Sequence, residues 1–219
     1  VSSHAAAIAS WAPSAAMARA ASAATGRDEA FEVYFVGEID VGELFPGVAP
    51  GEGLCVDYAA YAGPNWLKIA KEEGFVGQTQ TANADAGGTH VFNHPIDFHF
   101  FATSLEDWPQ LHIQVLKLDA VGRIETVSYG AASLPNLPGY LELVCRTWTP
   151  ISASALDEAR AAHAGGAPGP LLATRTEILA NKMPEERTRM VTKSSGIVRI
   201  QLDTIFRNAA VHKINLPHR

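Results

Sequence analysis

The chain has 219 residues, 47% of them hydrophobic and 18% charged, which suffices for one domain of ordinary size and excludes general disorder. Lys and Arg total 17 against 23 Asp and Glu, a formal charge of −6, so there is no diffuse positive field to release counterions from a polyanion, and nucleic acid is not an expected partner. Two cysteines, Cys55 and Cys145, are too few for a disulfide framework and fit no zinc spacing, which points to a reduced, intracellular setting.

Residues 1–30 are dominated by Ala and Ser, with Arg19 and Arg27 as basic groups and no acid before Asp28. Organelle transit peptides share that bias, and mitochondrial import is the alternative location it suggests, but an alanine-rich tail is the simpler reading. The segment also holds the longest uncharged run, yet His4 and Pro13 interrupt it and its side chains are mostly methyls, too weakly apolar to span a bilayer.

From Phe31 the texture changes to short β-branched and aromatic runs separated by Gly, Pro, Asn and Asp, the pattern of an antiparallel sandwich. The alternation predicts a strand over 31–39, with Phe31, Val33, Phe35 and Gly37 on one face, and another in which Leu54, Val56 and Tyr58 oppose Cys55 and Asp57. Further strands are predicted over 76–81, 91–101, 111–118, 127–134 and 140–148; in the last, Leu141, Leu143 and Cys145 share a face, which makes Cys145 a core residue. Ser154 and Asp157 have capping-box spacing before a short alanine-rich helix over 154–163, stopped by Gly165 and Gly166. Residues 164–170 read as a loop and 184–187 as a charged turn, and 188–192 and 196–206 return to strand texture about a Ser194-Ser195-Gly196 turn. The expected fold is therefore all-β, an antiparallel sandwich of about eight strands with one short accessory helix. Residues 1–30 stand apart, 31–219 form the domain, and about 151–187 is an insertion of helix and loop. No strand–helix alternation supports a parallel α/β fold.

Candidate chemistry is sparse. His90, His94 and His99 invite a metal reading, but Pro95 blocks a helical path and strand alternation sends His94 and His99 to opposite faces. No Gly-x-Ser-x-Gly elbow is present, and Gly87-Gly88 and Gly165-Gly166 lack the strand–loop–helix frame of a phosphate loop. No catalytic residue, cofactor site or metal site is assigned. The stretch 111–130 resembles the third-loop region of the calcium- and lipid-binding C2 domain, where two Asp residues two apart supply carboxylate oxygens to a hard cation. Here those positions hold Lys117 and Asp119, Glu125 is the other acid in register, and the early loop 62–66 has no Asp. Such a site would hold calcium very weakly.

Further motifs follow in a fixed order: Gly77-Gln78-Thr79-Gln80, then His94-Pro95-Ile96-Asp97-Phe98-His99-Phe100, Trp108-Pro109-Gln110-Leu111-His112, Asp119 with Gly122-Arg123, Tyr129-Gly130, Pro138-Gly139, and Thr147-Trp148-Thr149-Pro150. Together they resemble the B9 domain family, C2-related sandwiches of the ciliary transition zone associated with the Meckel syndrome protein module. The resemblance covers about 31–208 and is nearest the second of the two short members; residues 1–30 and 174–193 depart from the compact pattern. It implies a non-enzymatic scaffold at the cytoplasmic face of the cilium base, near the basal body. There it would bind sister B9 proteins in a hetero-oligomer, alongside membrane-associated transition-zone proteins, and help assemble the tectonic-like complex that forms a barrier. No cofactor is implied.

Beside that, most motif residues read as structural: Trp108, Tyr129 and Trp148 as packing, Pro109, Gly122, Pro138 and Gly139 as turn residues, Arg123 as a brace for its loop, and Gln78 as strand decoration. The candidate partner contacts are Asn136, Leu137 and Pro138, since Pro135 and Pro138 limit the entropy lost on docking and Leu137 offers apolar area at the tip. Leu137 tucked under its own sheet is the bland counterpart, and an exposed sheet edge could also recruit a partner by strand addition. The alternative function is a calcium-independent peripheral lipid-binding module, for which Lys68 and Lys71 near Trp66 are offset by Glu72 and Glu73.

Overall fold

The alternation that opens at Phe31 becomes β1 (Phe31–Glu43), which drives Phe31, Val33, Phe35 and Ile39 into the interior and leaves Val36 outside. A computed structural model describes residues 31–49, 51–69, 75–119, 121–151 and 191–214. The accessory helix expected at 154–163, the segment 1–30, the loop at 164–170 and the turn at 184–187 lie outside them. After β1 come β2 (Gly53–Tyr61), β3 (Trp66–Lys68), β4 (Val76–Gln78), β5 (Ala82–Asn83), β6 (His90–Ala102), β7 (Gln110–Leu118), β8 (Ile124–Ser133), β9 (Gly139–Pro150) and β10 (Thr192–Arg207).

All pairings among these strands are antiparallel, in the order β3-β6-β1-β10-β9-β8-β7-β2-β4, with β5 also on β2. The sheet folds over at β8–β9, where pairing is confined to Tyr129 with Trp148 and Gly130 with Thr147. The β3-β6-β1-β10-β9 layer then faces β8-β7-β2-β4, and Tyr58 of β2 meets Phe98 of β6 with ring centroids 6.3 Å apart. Between the layers Phe35, Phe75, Phe98 and Phe100 are fully buried, and edge-on ring contacts link Phe100 to Phe35, Phe75 and Trp66.

The expected antiparallel sandwich is thus present, with ten strands among the described residues where about eight were expected. The additions, β3 and β5, are three and two residues long, too short for alternation to register. The strand expected over 76–81 ends at Gln78, because Thr79 turns inward and its hydroxyl accepts the Val56 amide at 3.0 Å. The Ser194-Ser195-Gly196 turn is not a turn. It is a bulge inside β10, where the register against β9 slips between Ser194 and Ile197 and the Thr147 hydroxyl donates to the Gly196 carbonyl at 2.6 Å. Cys55, expected opposite the core face of β2, is buried along with Leu54 and Val56, because β4 lies alongside and the Gln78 amide rests 3.7 Å from its sulfur. Cys145 is 1% exposed and burial pushes its thiol pKa up to about 12, so it serves as a small hydrophobe. At the far end of β9 the Ile151 amide donates to the Val191 carbonyl at 2.8 Å and Pro150 pairs with Thr192, so the chain leaves and rejoins the sheet at one point.

The packing can be tested at two positions. At Gly37 a Cβ would strike the Gln201 carbonyl oxygen of the neighbouring strand, so Gly37→Ala should cost about 2 kcal/mol, read as a lower urea midpoint at unchanged slope. His90, at the start of β6, is 3% exposed, and burial holds its pKa below the usual histidine value although the Gly42 backbone and the Asp85 charge pull the other way. The folded pKa lies below the unfolded one, so stability is full above about pH 6.5 and is lost as pH falls through the folded value. A urea midpoint that drops between about pH 7 and pH 5 should flatten in His90→Gln.

Candidate interaction surface

The β7–β8 end holds Lys117, Asp119 and Glu125, the positions that the sequence resemblance set beside the carboxylates of a calcium sandwich. Lys117, near the end of β7, is opposite Glu125 of β8 and Leu54 of β2, and its ammonium lies 3.5 Å from Glu125 and 3.3 Å from Glu52. Asp119 begins the turn: its Oδ1 accepts the amides of Val121 at 3.0 Å and Arg123 at 2.8 Å, and its Oδ2 takes the Arg123 Nε at 3.1 Å. The Arg123 amide, followed by its guanidinium and the Val121 amide, holds the Asp119 carboxyl below its ordinary pKa despite partial desolvation. Arg123 also reaches Glu125 at 3.7 Å, and Gly122 closes the turn with φ of 84°. The chain's own Lys117 therefore lies between Glu52 and Glu125, and the more exposed Arg123 bridges Asp119 and Glu125. Glu52 was passed over in the sequence, because it reaches Lys117 only through the pairing of β2 with β7, which no local pattern encodes.

β6 separates its histidines. His94 Nε2 lies 3.0 Å from the Tyr58 hydroxyl on the side of the other layer, whereas His99 stacks on Tyr34 at 3.8 Å and meets Glu32 at 3.1 Å on the outer face of β1. Burial would raise the Glu32 pKa, but the Tyr34 hydroxyl at 2.6 Å, His99 and Arg207 together hold it low. Among the described residues no three His, Cys, Asp or Glu side chains are grouped to hold a metal ion.

The remaining motif residues distribute between packing and surface. Trp108 packs edge-on against Trp66 at 4.9 Å and donates its indole N–H to the Leu134 carbonyl at 2.9 Å, while the Leu134 amide donates to the Pro109 carbonyl. Tyr129 is 2% exposed with its ring 5.6 Å from half-buried Trp148, Pro150 is buried, and Gly139 takes φ of 93°. Gln78 and Asp97 are exposed, as is Pro95 beside them in the family motifs. In the β8–β9 loop, Leu134 and Pro135 are buried, Asn136 is exposed, Leu137 is 36% exposed and Pro138 is half-buried. Trp108 thus anchors the stem of the loop that presents Asn136, Leu137 and Pro138. Tyr140, three residues beyond Leu137, is 57% exposed.

A family profile described as "Ciliary basal body-associated, B9 protein" matches residues 33–205. The chain belongs to the B9 domain family. B9 domain-containing protein 2 of Bos taurus is 36% identical over 177 residues, covering 81% of this chain and 94% of the relative, and the Homo sapiens protein of that name is 31% identical over the same length. B9 domain-containing protein 1 of Mus musculus is 27% identical over 154 residues, 70% of this chain and 73% of its own. Among solved structures, a C2 domain of plant Extended Synaptotagmin 1 aligns with 83% of this chain and 96% of its own length at 12% identity and a TM-score of 0.40.

Within this B9 domain the tip aromatic needed for membrane contact is missing from the surface: Trp66 is 4% exposed and spends its indole N–H on the Glu106 carbonyl at 2.8 Å. Lys68 lies over the Phe75 ring at 4.9 Å; Lys71, Glu72 and Glu73 fall outside the described residues. Calcium at about 1 mM is expected to leave the melting temperature and the sedimentation with anionic liposomes unchanged relative to EDTA, because an ammonium already sits among the acids. A calcium-dependent rise in either quantity would contradict that account of Lys117.

Proposed function

We propose that this B9 protein is a non-enzymatic structural subunit of the ciliary transition-zone assembly, the tectonic-like and Meckel complex. It binds sister B9 proteins at the cytoplasmic face of the ciliary base, where the assembly supports cilium formation and the diffusion barrier. In this reading residues 31–219 act as one domain with an insertion at about 151–187. The observation that carries it is the β8–β9 loop: an apolar Leu137 held at the rim on a stem that Trp108, Pro109 and Leu134 fasten, so little conformational entropy is lost when a partner covers it. The pairing of the tip acids with the chain's own Lys117 and Arg123 agrees with a surface that binds protein instead of a cation. Burial of Trp66 argues against the lipid-binding alternative.

Leu137→Asp should weaken association with a purified sister B9 protein by about tenfold, since it places an unpaired charge in an apolar contact, while leaving the melting temperature unchanged. Co-purification of that variant at wild-type yield would remove Leu137 from the interface.

A further inference from the structure

The outer face of β6, β1, β10 and β9 has a composition that the loop does not explain. One row of the ladder runs Asp97, Val36, Asp203, Tyr140 across the four strands, since Val36 pairs with both Asp97 and Asp203, and Asp203 with Tyr140. The next row pairs Tyr34 with Ile205. Val36 is 43%, Ile205 51% and Tyr140 57% exposed, so the face has an apolar centre open to solvent. Asp97 and Asp203 flank Val36, about 10 Å apart across two strand spacings, and Glu38 follows Val36 on the same face. None of these three acids has an ion-pair or side-chain hydrogen-bond partner among the described residues. The nearby cations are engaged elsewhere: Arg199 with Glu43 at 3.2 Å and Glu142 at 2.6 Å, Arg207 with Glu32 at 3.5 Å.

We propose that this sheet face docks a protein surface bearing Lys or Arg side chains around an apolar centre. Charge decides the occupant. Anionic lipid and nucleic acid would be repelled, and a second copy would bring the same acids. The chain's own longer remaining segments are not complementary: residues 1–30 carry two basic and two acidic residues and 152–190 five of each, while 70–74 has one Lys against two Glu and 215–219 a single Arg. Tyr140 closes the row three residues from Leu137, so the face is continuous with the loop surface. The inference rests on the reading of this chain as a binding subunit, but not on the partner being another B9 protein.

The test places the photo-cross-linker p-benzoylphenylalanine in place of Val36 or Ile205 in the full chain within ciliated cells, and identifies the attached peptide by mass spectrometry. A net-basic stretch of a different protein is expected. Adducts on this chain's residues 1–30 or 152–190, on a second copy, on lipid, or on a neutral or acidic stretch would overturn the proposal, as would the absence of any adduct. With the captured protein purified, Asp97→Lys combined with Asp203→Lys should weaken binding at least about tenfold and flatten its salt dependence, and the paired Asn variants should fall between. Equal affinity for all three would also overturn it, with unchanged melting temperatures showing that the variants are folded. A basic adduct from a protein outside the B9 family would support the docking face, while the Leu137→Asp co-purification decides the sister-protein reading separately.

Discussion

The outward surfaces of this molecule follow from the point where β8 and β9 part. Their ladder survives for two residue pairs, and at Gly130 a side chain would press on the Cys145 sulfur at 2.8 Å and on Ile113 at 2.9 Å. The layers therefore touch there and diverge beyond, leaving the roughly 10 Å gap that packed sheets keep and that Phe35, Phe98 and Phe100 fill. A loop at the divergent end has to cross from one layer to the other. That is why residues 134 and 135 are pulled inward while Leu137 stays at the rim. The same divergence leaves β9 committed to β10 along most of its length, which brings Tyr140 into line with β1 and β6.

Electrostatics complete what packing begins. At the tip Lys117 and Arg123 pair with three acids, Glu52, Asp119 and Glu125, so most of their charge is offset by groups that belong to the chain itself. These ion pairs tie the end of β7 to β8 and to the start of β2. On the broad sheet face three acids without an ion pair among the described residues, Glu38, Asp97 and Asp203, lie around Val36. The paired tip and the acidic sheet face are two parts of one charge distribution.

The strands were legible wherever one face is buried and the other wet. Phe31, Val33 and Phe35, or Ile96, Phe98 and Phe100, alternate without interruption, and each run lies in a strand that extends beyond the predicted limits. The bracing of Asp119 by Arg123 was legible because it is local. Composition misled at Ser194-Ser195-Gly196, where turn-forming residues are tolerated in a bulge because Thr147 on the neighbouring strand supplies a donor. Trp66 looked like a tip aromatic, and nothing in its own neighbourhood reveals that Trp108 and Phe100 enclose it. The acidic face was invisible for the same reason: positions 36, 97, 140 and 203 become one row through cross-strand register, which no local pattern encodes.

One further consequence attaches to the junction where Ile151 bonds to Val191 and Pro150 to Thr192. Because Ile151 and Val191 are clamped side by side, the closure entropy of the polypeptide between them grows slowly with its length, about 0.6 kcal/mol for each doubling. The geometry of the junction itself is compatible with a change in the number of residues between them. An experimenter can use the same freedom to graft a fluorescent reporter there and follow the protein in a living cell.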